Sequence, residues 1–232
     1  MKKKTRWPIY LIIGLIITFI AFTIPLPYYI EVPGTSEDIR KVLQVNNQSD
    51  QEEGSYQFVT VGVKHARMVD LVYAWLTPFT DIRSAKEMTG GSSDAEFMRI
   101  NQFYMETSQN MAKYQGLKAA GKEIELKYLG VYVLTVTDNS TFKGILNIAD
   151  TVTAVNDKTF ESSKEMVDYV NSQTLGDKVK VTYQEDGKVK TAEGKIITLE
   201  NGKNGIGIGL IDRTEVSSDV PIKFSTAGIG GP

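Results

Sequence analysis

The sequence contains no cysteine and a single histidine, His65, among its 232 residues. The absence of cysteine excludes disulfides, zinc sites with thiolate ligands and a cysteine nucleophile. One histidine is too few for a histidine-based metal site, because zinc needs several nitrogen or sulfur ligands. A Ser-His-Asp triad would depend on His65, yet no Gly-x-Ser-x-Gly motif occurs to supply the serine. We therefore expect neither a metal site nor catalysis through His65.

Phosphate-binding signatures are also absent. No Gly-x-x-x-x-Gly-Lys-Ser/Thr sequence occurs, which excludes a Walker A loop. The segment 205–209 alternates glycine with isoleucine, but its spacing differs from Gly-x-Gly-x-x-Gly, and a closely packed strand is the better interpretation. From Glu31 onward the chain has 22 basic and 28 acidic residues. Nucleic-acid binding needs a clustered basic surface, so we expect no nucleic-acid partner. Because the phosphate-binding motifs are absent, we also expect no cofactor.

One long apolar run is present near the start. From Trp7 to Ile30 there are 24 residues without a charge, which is long enough to cross a hydrocarbon core of about 30 Å. A cleaved signal peptide is the alternative, although no clear small-x-small cleavage site follows the run. Four basic residues lie in the segment 2–6, and the positive-inside rule places them in the cytoplasm. We expect a single-pass protein of the cell membrane, with a cytoplasmic N-terminus and an extracytoplasmic main domain.

The next part of the chain mixes strand and helix patterns. Two β-rich runs, 39–45 and 56–63, predict a hairpin with a longer loop. Apolar residues with helical spacing follow from Met68 and end before Pro78, which predicts an amphipathic helix. A capping-box sequence at Ser93 predicts a longer helix that reaches to about Ala120.

The segment 127–197 has a clear order of elements. A glycine-containing loop leads into an apolar strand at 127–134. After a turn and another strand, Ser162 or Ser163 caps a helix with apolar residues three and four apart. Two alternating strands then flank Asp186-Gly187, which is a strong hairpin signal.

This order resembles a bacterial-type PDZ domain, a module that captures an extended peptide by adding it to a sheet edge. The resemblance implies that a glycine-containing loop presents backbone N–H groups to the peptide and that the adjacent helix forms the floor of an apolar pocket. On the matching positions, the implied peptide-binding residues are Leu129, Gly130, Val131, Tyr132, Met166 and Val170.

Over nearly its whole length the sequence also resembles the bacterial membrane-anchored, PDZ-containing Lon-like serine endopeptidases. That group includes proteases that process competence peptide pheromones. The resemblance rests on the basic head and apolar run and on four further segments: 28–34, 127–134, 205–208 and 229–232. In that family Gly-Gly-Pro is followed by the nucleophilic serine, and a lysine further on is the general base. Both residues are expected beyond Pro232, so no catalytic residue is assigned within this chain.

The resemblance implies an α+β fold in which a PDZ-like domain is inserted into an incomplete Lon-like protease domain. The expected organisation is a cytoplasmic head (1–7), a transmembrane anchor (8–30), an N-terminal mixed α/β part (31–126), the PDZ-like domain (127–197) and the first strands of the proteolytic core (198–232). The expected function is ATP-independent cleavage of peptide or protein substrates by a Ser-Lys dyad, with homo-oligomers possible. This fragment itself is expected to bind but not to cleave. Two alternatives stay open: a non-catalytic membrane-tethered peptide-binding scaffold, and a chaperone-like sensor of unfolded chain ends.

Overall fold

A computed structural model describes residues 7–185 and 187–225. The fold is mixed α+β. Its α-helices are α1 Trp7–Thr23, α2 Met68–Leu76, α3 Ala85–Thr89, α4 Asp94–Ala119 and α5 Ser163–Asn171. Its strands are β1 Pro25–Asp38, β2 Leu43–Val45, β3 Gln57–Arg67, β4 Asp81–Ser84, β5 Glu125–Val136, β6 Thr151–Val155, β7 Lys178–Glu185, β8 Lys188–Lys195, β9 Ile197–Thr198, β10 Asn204–Gly205, β11 Ile208–Ser217 and β12 Ile222–Phe224.

These elements form two compact units. The first comprises the chain up to Lys41 together with Gln51–Ser93, and the second comprises Val42–Asp50 together with the chain from Asp94 onward. Residues 1–6 of the predicted cytoplasmic head (1–7), the Gly-Gly-Pro segment (230–232) and Asp186 of the predicted hairpin lie outside the described residues.

The first unit is built on an antiparallel sheet with the order β3-β1-β4. Ile30 of β1 and Ala66 of β3 are fully buried. At the start of α2 the Asp70 carboxylate accepts hydrogen bonds from the Arg67 backbone N–H (2.8 Å) and from Lys64 Nζ (2.9 Å). Burial alone would raise the pKa of Asp70, but these hydrogen bonds outweigh it and keep the pKa below its usual value.

The predicted hairpin between residues 39–45 and 56–63 does not form. Strand β3 pairs along β1, whereas β2 pairs with β12. Ile39–Lys41 forms a short 3₁₀ helix and takes the chain from the first unit to the second. Alternating apolar and polar residues identify a strand, but they do not determine its partner.

The first unit also exposes apolar side chains. All residues of α1 except the partly buried Ala21 are exposed, and none carries a charge. Along α2 and the turn after it, Val72, Trp75, Leu76 and Phe79 are each more than half exposed. Within residues 7–185 and 187–225, no helix is long and apolar enough to cross a membrane.

The second unit contains a five-stranded sheet with the order β11-β5-β6-β7-β8. Its core lies between this sheet and α5, and includes Val131, Val152, Met166 and Val181. Because β11 pairs with β5 from Ile208 to Ser217, the sheet extends past the predicted domain boundary at Ile197. The strands after that boundary, which were expected to begin a separate proteolytic core, are part of this unit.

Helix α4 covers the opposite face of the same sheet. The ring of Phe103 stacks on Tyr132 of β5 with centroids 4.0 Å apart, and the Tyr132 hydroxyl donates to the Glu106 carboxylate at 3.2 Å. Burial and the adjacent Glu106 carboxylate raise the pKa of Tyr132. The Arg213 guanidinium of β11 lies 5.2 Å from the centre of the Tyr132 ring. The sheet is therefore enclosed between α5 and α4.

Candidate functional site

Helix α5 forms one wall of an open cavity in the second unit. The Ser162 hydroxyl accepts a hydrogen bond from the Glu165 backbone N–H at 3.2 Å, which caps the start of the helix as the sequence predicts. Met166 and Val170, four residues apart, are buried against the sheet. Val167 is only partly buried and faces the cavity.

Strand β11 forms the opposite wall and is an edge strand of the sheet. Three side chains from the chain leading into β11 and from the strand itself line the cavity, namely Ile206, Ile208 and Leu210. Together with Met166, Val167 and Val170 they make the lining largely apolar. We call this space between α5 and β11 the α5–β11 groove.

Strand β11 presents unpaired backbone to the groove. The Gly207 carbonyl accepts from the Thr137 N–H at 2.9 Å, so it points toward the extension of β5. The carbonyls of Asp212 and Thr214 accept from side chains of α4, so they point away from β5. Because backbone groups alternate in direction along a strand, the N–H and C=O groups of Ile208 and Leu210 face the open edge. An extended chain placed there would pair with β11.

A glycine-containing turn closes the end of the groove where β11 begins. Gly207 has φ 73°, and a Cβ atom at this position would lie 2.5 Å from Thr137 Oγ1. The backbone N–H groups of Ile206 and Gly207 donate to no other group in the described part of the chain. Consecutive free N–H groups next to a glycine form a concave site that suits an anion such as a carboxylate.

Polar groups gather at the other end of the groove. The Asp212 carboxylate of β11 accepts from the Ser163 backbone N–H of α5 at 3.1 Å. Burial, together with the negative charges of Asp212 and Glu165, raises the pKa of Tyr128. The Tyr128 hydroxyl is buried and has no hydrogen-bond partner among the described residues. The hydroxyl can therefore act as a hydrogen-bond donor.

The structure places the predicted binding loop in β5, an interior strand of the sheet. Residues Leu129 to Tyr132 lie within β5, which pairs with β11 on one side and with β6 on the other. Both edges of β5 are occupied at Val131 and Tyr132, so these two residues cannot pair with an added strand. Gly130 has φ 131°, and a Cβ atom at this position would lie 2.2 Å from the Val152 carbonyl oxygen. The glycine is therefore needed where β6 crosses closely.

The structure thus brings together only part of the predicted site. Met166 and Val170 line the groove, and their participation in binding stays a prediction. The glycine turn at 205–207 and strand β11 were missed as a site, because the alternating glycines were interpreted only in terms of close packing. That packing is present, since Cβ atoms at Gly205, Gly207 and Gly209 would each lie within 2.6 Å of a neighbouring side chain. The available signal was a glycine turn followed directly by an apolar strand. The same pattern at Gly130 was interpreted as the binding loop.

Comparison with known protein families gives one match. Residues 102–196 match the model of the PDZ domain. This segment includes most of α4, the strands β5 to β8 and α5, but it ends before the glycine turn and β11. No curated protein matches the chain.

Several solved structures are similar to part of the chain. The PDZ domain of an SdrC-like protein from Listeria monocytogenes is 35% identical, with 38% of this chain and 93% of that chain covered and a TM-score of 0.36. The PDZ domain of an SdrC-like protein from Listeria innocua is 38% identical, with 35% and 92% covered and a TM-score of 0.34. A solution structure from Geobacillus thermodenitrificans is 30% identical, with 34% and 94% covered and a TM-score of 0.32.

Proposed function

We propose that the α5–β11 groove of this chain, which contains a PDZ domain at residues 102–196, binds an extended peptide or the end of a protein chain. The ligand adds as a strand to β11 and pairs with the backbone of Ile208 and Leu210. Its terminal carboxylate accepts hydrogen bonds from the N–H groups of Ile206 and Gly207. Its last side chain enters the apolar space beside Val167. The observation that carries this proposal is the unpaired edge of β11 beside an apolar cavity lined by α5.

The aliphatic lining of the groove favours a ligand with an apolar end, and the charges at its far end favour a basic residue further along the ligand. Asp212 and Glu165 lie at the far end of the groove, close to Tyr128. A negative residue on the ligand near this end would be repelled, whereas a basic residue would be attracted. The pocket next to the glycine turn is lined mainly by aliphatic side chains, which favours leucine, valine or phenylalanine at the end of the ligand.

The proposal is tested with paired peptides that differ only at the terminal group. Peptides ending in leucine are prepared with a free carboxylate or with a terminal amide, and their affinity is measured by fluorescence anisotropy. A charge-assisted hydrogen bond contributes about 1.5–3 kcal/mol, so the amide should bind roughly 10- to 100-fold more weakly. Equal binding of both forms would reject carboxylate recognition, and no binding of either would reject the groove as a peptide site.

We propose further that this groove serves a Lon-like serine endopeptidase. The sequence resemblance at 28–34, 127–134, 205–208 and 229–232 supports the proposal. It implies that the nucleophilic serine and the basic lysine lie beyond Pro232. The function is then cleavage of peptide or protein substrates that the PDZ domain binds first. The test is hydrolysis of a peptide library by a longer protein that continues past Gly-Gly-Pro, with and without the serine that follows. If the serine variant and the parent are equally inactive while peptides still bind, the scaffold function is favoured.

We also propose that the N-terminal segment attaches the protein to a membrane, with the second unit on the extracytoplasmic side. The uncharged, exposed side chains of α1 support this, as does the exposed apolar surface of Val72, Trp75 and Phe79 within the same unit. The chain has two tryptophans, Trp7 and Trp75, which makes a direct test possible. In vesicles with brominated lipids, a Trp75→Phe variant should show quenching of Trp7 if α1 lies in the bilayer. Unquenched Trp7 would reject the attachment.

A further inference from the structure

We propose that helix α2 and the turn after it lie in the headgroup region of a lipid bilayer, as a second membrane contact beside α1. The inference rests on the membrane attachment proposed for α1, and it specifies which surface of the first unit the bilayer covers. It begins from the distribution of charge and burial along α2. In this helix, whose nine residues the structure describes in full, only Asp70 is buried, and Asp70 is also the only charged residue.

The apolar stripe of α2 faces outward. Its members are spaced three and four residues apart along one side of the helix and are all exposed, namely Met68, Leu71, Val72, Trp75 and Leu76. In a soluble unit, a stripe with this spacing packs against the core. Here it is on the outside, and no residue from Leu71 to Thr80 carries a charge. This surface therefore suits an apolar environment better than water.

The turn after α2 presents another aromatic side chain. Phe79 is 88% exposed and has φ 59°, in the left-handed region that bulky residues rarely adopt. The chain thus holds an aromatic ring outward in an unfavourable backbone conformation. Trp75, four residues earlier, is 85% exposed. Tryptophan, phenylalanine and leucine are the residues with which an interfacial helix enters a bilayer surface.

Strand pairing places α2 at the end of α1. Pro25 of β1 pairs with Arg67 of β3. Pro25 comes two residues after the end of α1 at Thr23, and Arg67 directly precedes α2. Paired strands lie about 5 Å apart, so α2 begins next to the point where α1 ends, and the two helices are in contact. If α1 lies in the bilayer, α2 is at the bilayer surface. Lipid is therefore the partner that this position favours.

A site in the same unit that is distant from α2 serves as a reference. Ser55 is exposed and polar and lies two residues before the start of β3. The ten residue steps from Gln57 to Arg67 extend over about 33 Å at roughly 3.3 Å per residue. We therefore expect Ser55 to stay in water while α2 contacts the bilayer.

The test uses spin labels, because the chain contains no cysteine and a single introduced cysteine is labelled uniquely. Full-length Leu76→Cys and Ser55→Cys are labelled in phosphatidylcholine vesicles, and collisions of each label with oxygen and with a water-soluble nickel complex are measured. Oxygen concentrates in the bilayer, whereas the nickel complex stays in water. We expect the ratio of oxygen to nickel collisions to be roughly tenfold higher at Leu76 than at Ser55, as for an interfacial helix. Equal ratios would overturn the inference.

The fluorescence of Trp7 separates this inference from the attachment of α1. If Trp7 in Trp75→Phe is quenched by brominated lipids but the Leu76 label is in water, α1 is attached and only the role of α2 is rejected. If Trp7 is unquenched and the Leu76 label is in water, both proposals are rejected. Spin–spin broadening at Leu76 that disappears when the protein is diluted in lipid would mean that a second copy covers α2, which would also overturn the inference.

A double variant tests whether the exposed aromatic rings hold α2 at the bilayer. In Trp75→Ser/Phe79→Ser, we expect the oxygen-to-nickel ratio of the Leu76 label to fall at least threefold, with the circular dichroism spectrum unchanged. Val59→Ser is the matched control, because Val59 is an apolar residue of β3 that is 81% exposed, and it should leave the ratio unchanged. Equal falls in the two variants would mean that the contact is not specific to α2 and its turn.

Discussion

The hydroxyl group of Ser140 donates a hydrogen bond to the backbone carbonyl of Ile206 at 2.6 Å, and both residues are buried. The same hydroxyl accepts from the Phe142 N–H at 3.1 Å. Ser140 follows β5, whereas Ile206 is part of the turn that closes the α5–β11 groove. One side chain therefore fixes the position of the N–H groups that we propose as the carboxylate site.

Replacing Ser140 with alanine should affect both stability and binding. The Ile206 carbonyl and the Phe142 N–H would be left buried without this partner, which costs about 1–3 kcal/mol in the free energy of unfolding. The turn would also lose a constraint, so we expect weaker binding of peptides with a free carboxylate. The free energy of unfolding is measured by urea denaturation, and the peptide affinity by fluorescence anisotropy.

Ser172→Ala is the matched control for this change. The Ser172 hydroxyl also donates to a backbone carbonyl, that of Tyr169 at 2.7 Å, but in an exposed position. It should lower the free energy of unfolding by less than about 0.5 kcal/mol. If Ser140→Ala and Ser172→Ala have equal, small effects, the buried hydrogen bond does not fix the turn.

An acidic residue at Val167 should abolish peptide binding without unfolding the protein. Val167 is partly buried and lines the groove, so Val167→Asp puts a carboxylate where the apolar end of the ligand would lie. Desolvation of this charge and its repulsion from the ligand carboxylate should weaken binding at least tenfold, measured by anisotropy. Val189→Asp is the control, because Val189 is 65% exposed on β8. Equal losses in the two variants would place the ligand elsewhere.

The elements that could be predicted from the sequence depend on neighbours along the chain. Helix α5 has a serine cap and apolar residues three and four apart, and helix α2 has the same spacing, so both form close to the expected positions. The hairpin of β7 and β8 follows from alternation around a tight turn. Met166 and Val170 could be assigned to a groove because the helix that carries them was identified correctly.

The open edge could not be predicted, because strand order in a sheet is not the order along the chain. Both Gly130 and Gly207 precede apolar residues that form strands, and the sequence alone does not show which strand lies at the edge. That depends on the long-range pairing of Ile208 with Val136, which turns β5 into an interior strand. A glycine that allows close crossing and a glycine that opens an anion site look alike in the sequence.

The close crossing of β6 at Gly130 predicts that alanine has opposite effects at this position and at an uncrowded glycine of α4. Gly130→Ala places a Cβ atom 2.2 Å from the Val152 carbonyl oxygen at φ 131°, and should cost about 3 kcal/mol or more in the free energy of unfolding. Gly116 is an exposed residue of α4 with no atom within 4 Å of a Cβ position. Gly116→Ala should stabilise the protein by about 0.5–1 kcal/mol through helix propensity. Urea denaturation of both variants measures the contrast, and a mild effect of Gly130→Ala would contradict the close crossing of β6.

The start of α2 provides a pH-dependent prediction for the first unit. Hydrogen bonds from Lys64 and Arg67 keep the pKa of Asp70 below its usual value, so the ionised form is favoured in the folded state. The resulting stability is fully present above the unfolded pKa of about 3.9. It is lost as the pH falls through the lower folded pKa, because the carboxylate is then protonated in both states.

Asp70→Asn should therefore lower the free energy of unfolding near pH 7 by about 1–3 kcal/mol, and the difference from the parent should shrink below pH 4. Trp75 of α2 is largely exposed in the folded state, so unfolding is followed by circular dichroism in urea. Asp81→Asn is the control, since Asp81 is exposed on β4 and should cause little change at either pH. A difference between Asp70→Asn and the parent that stays constant from pH 7 to pH 3 would mean that the charge of Asp70 does not stabilise the start of α2.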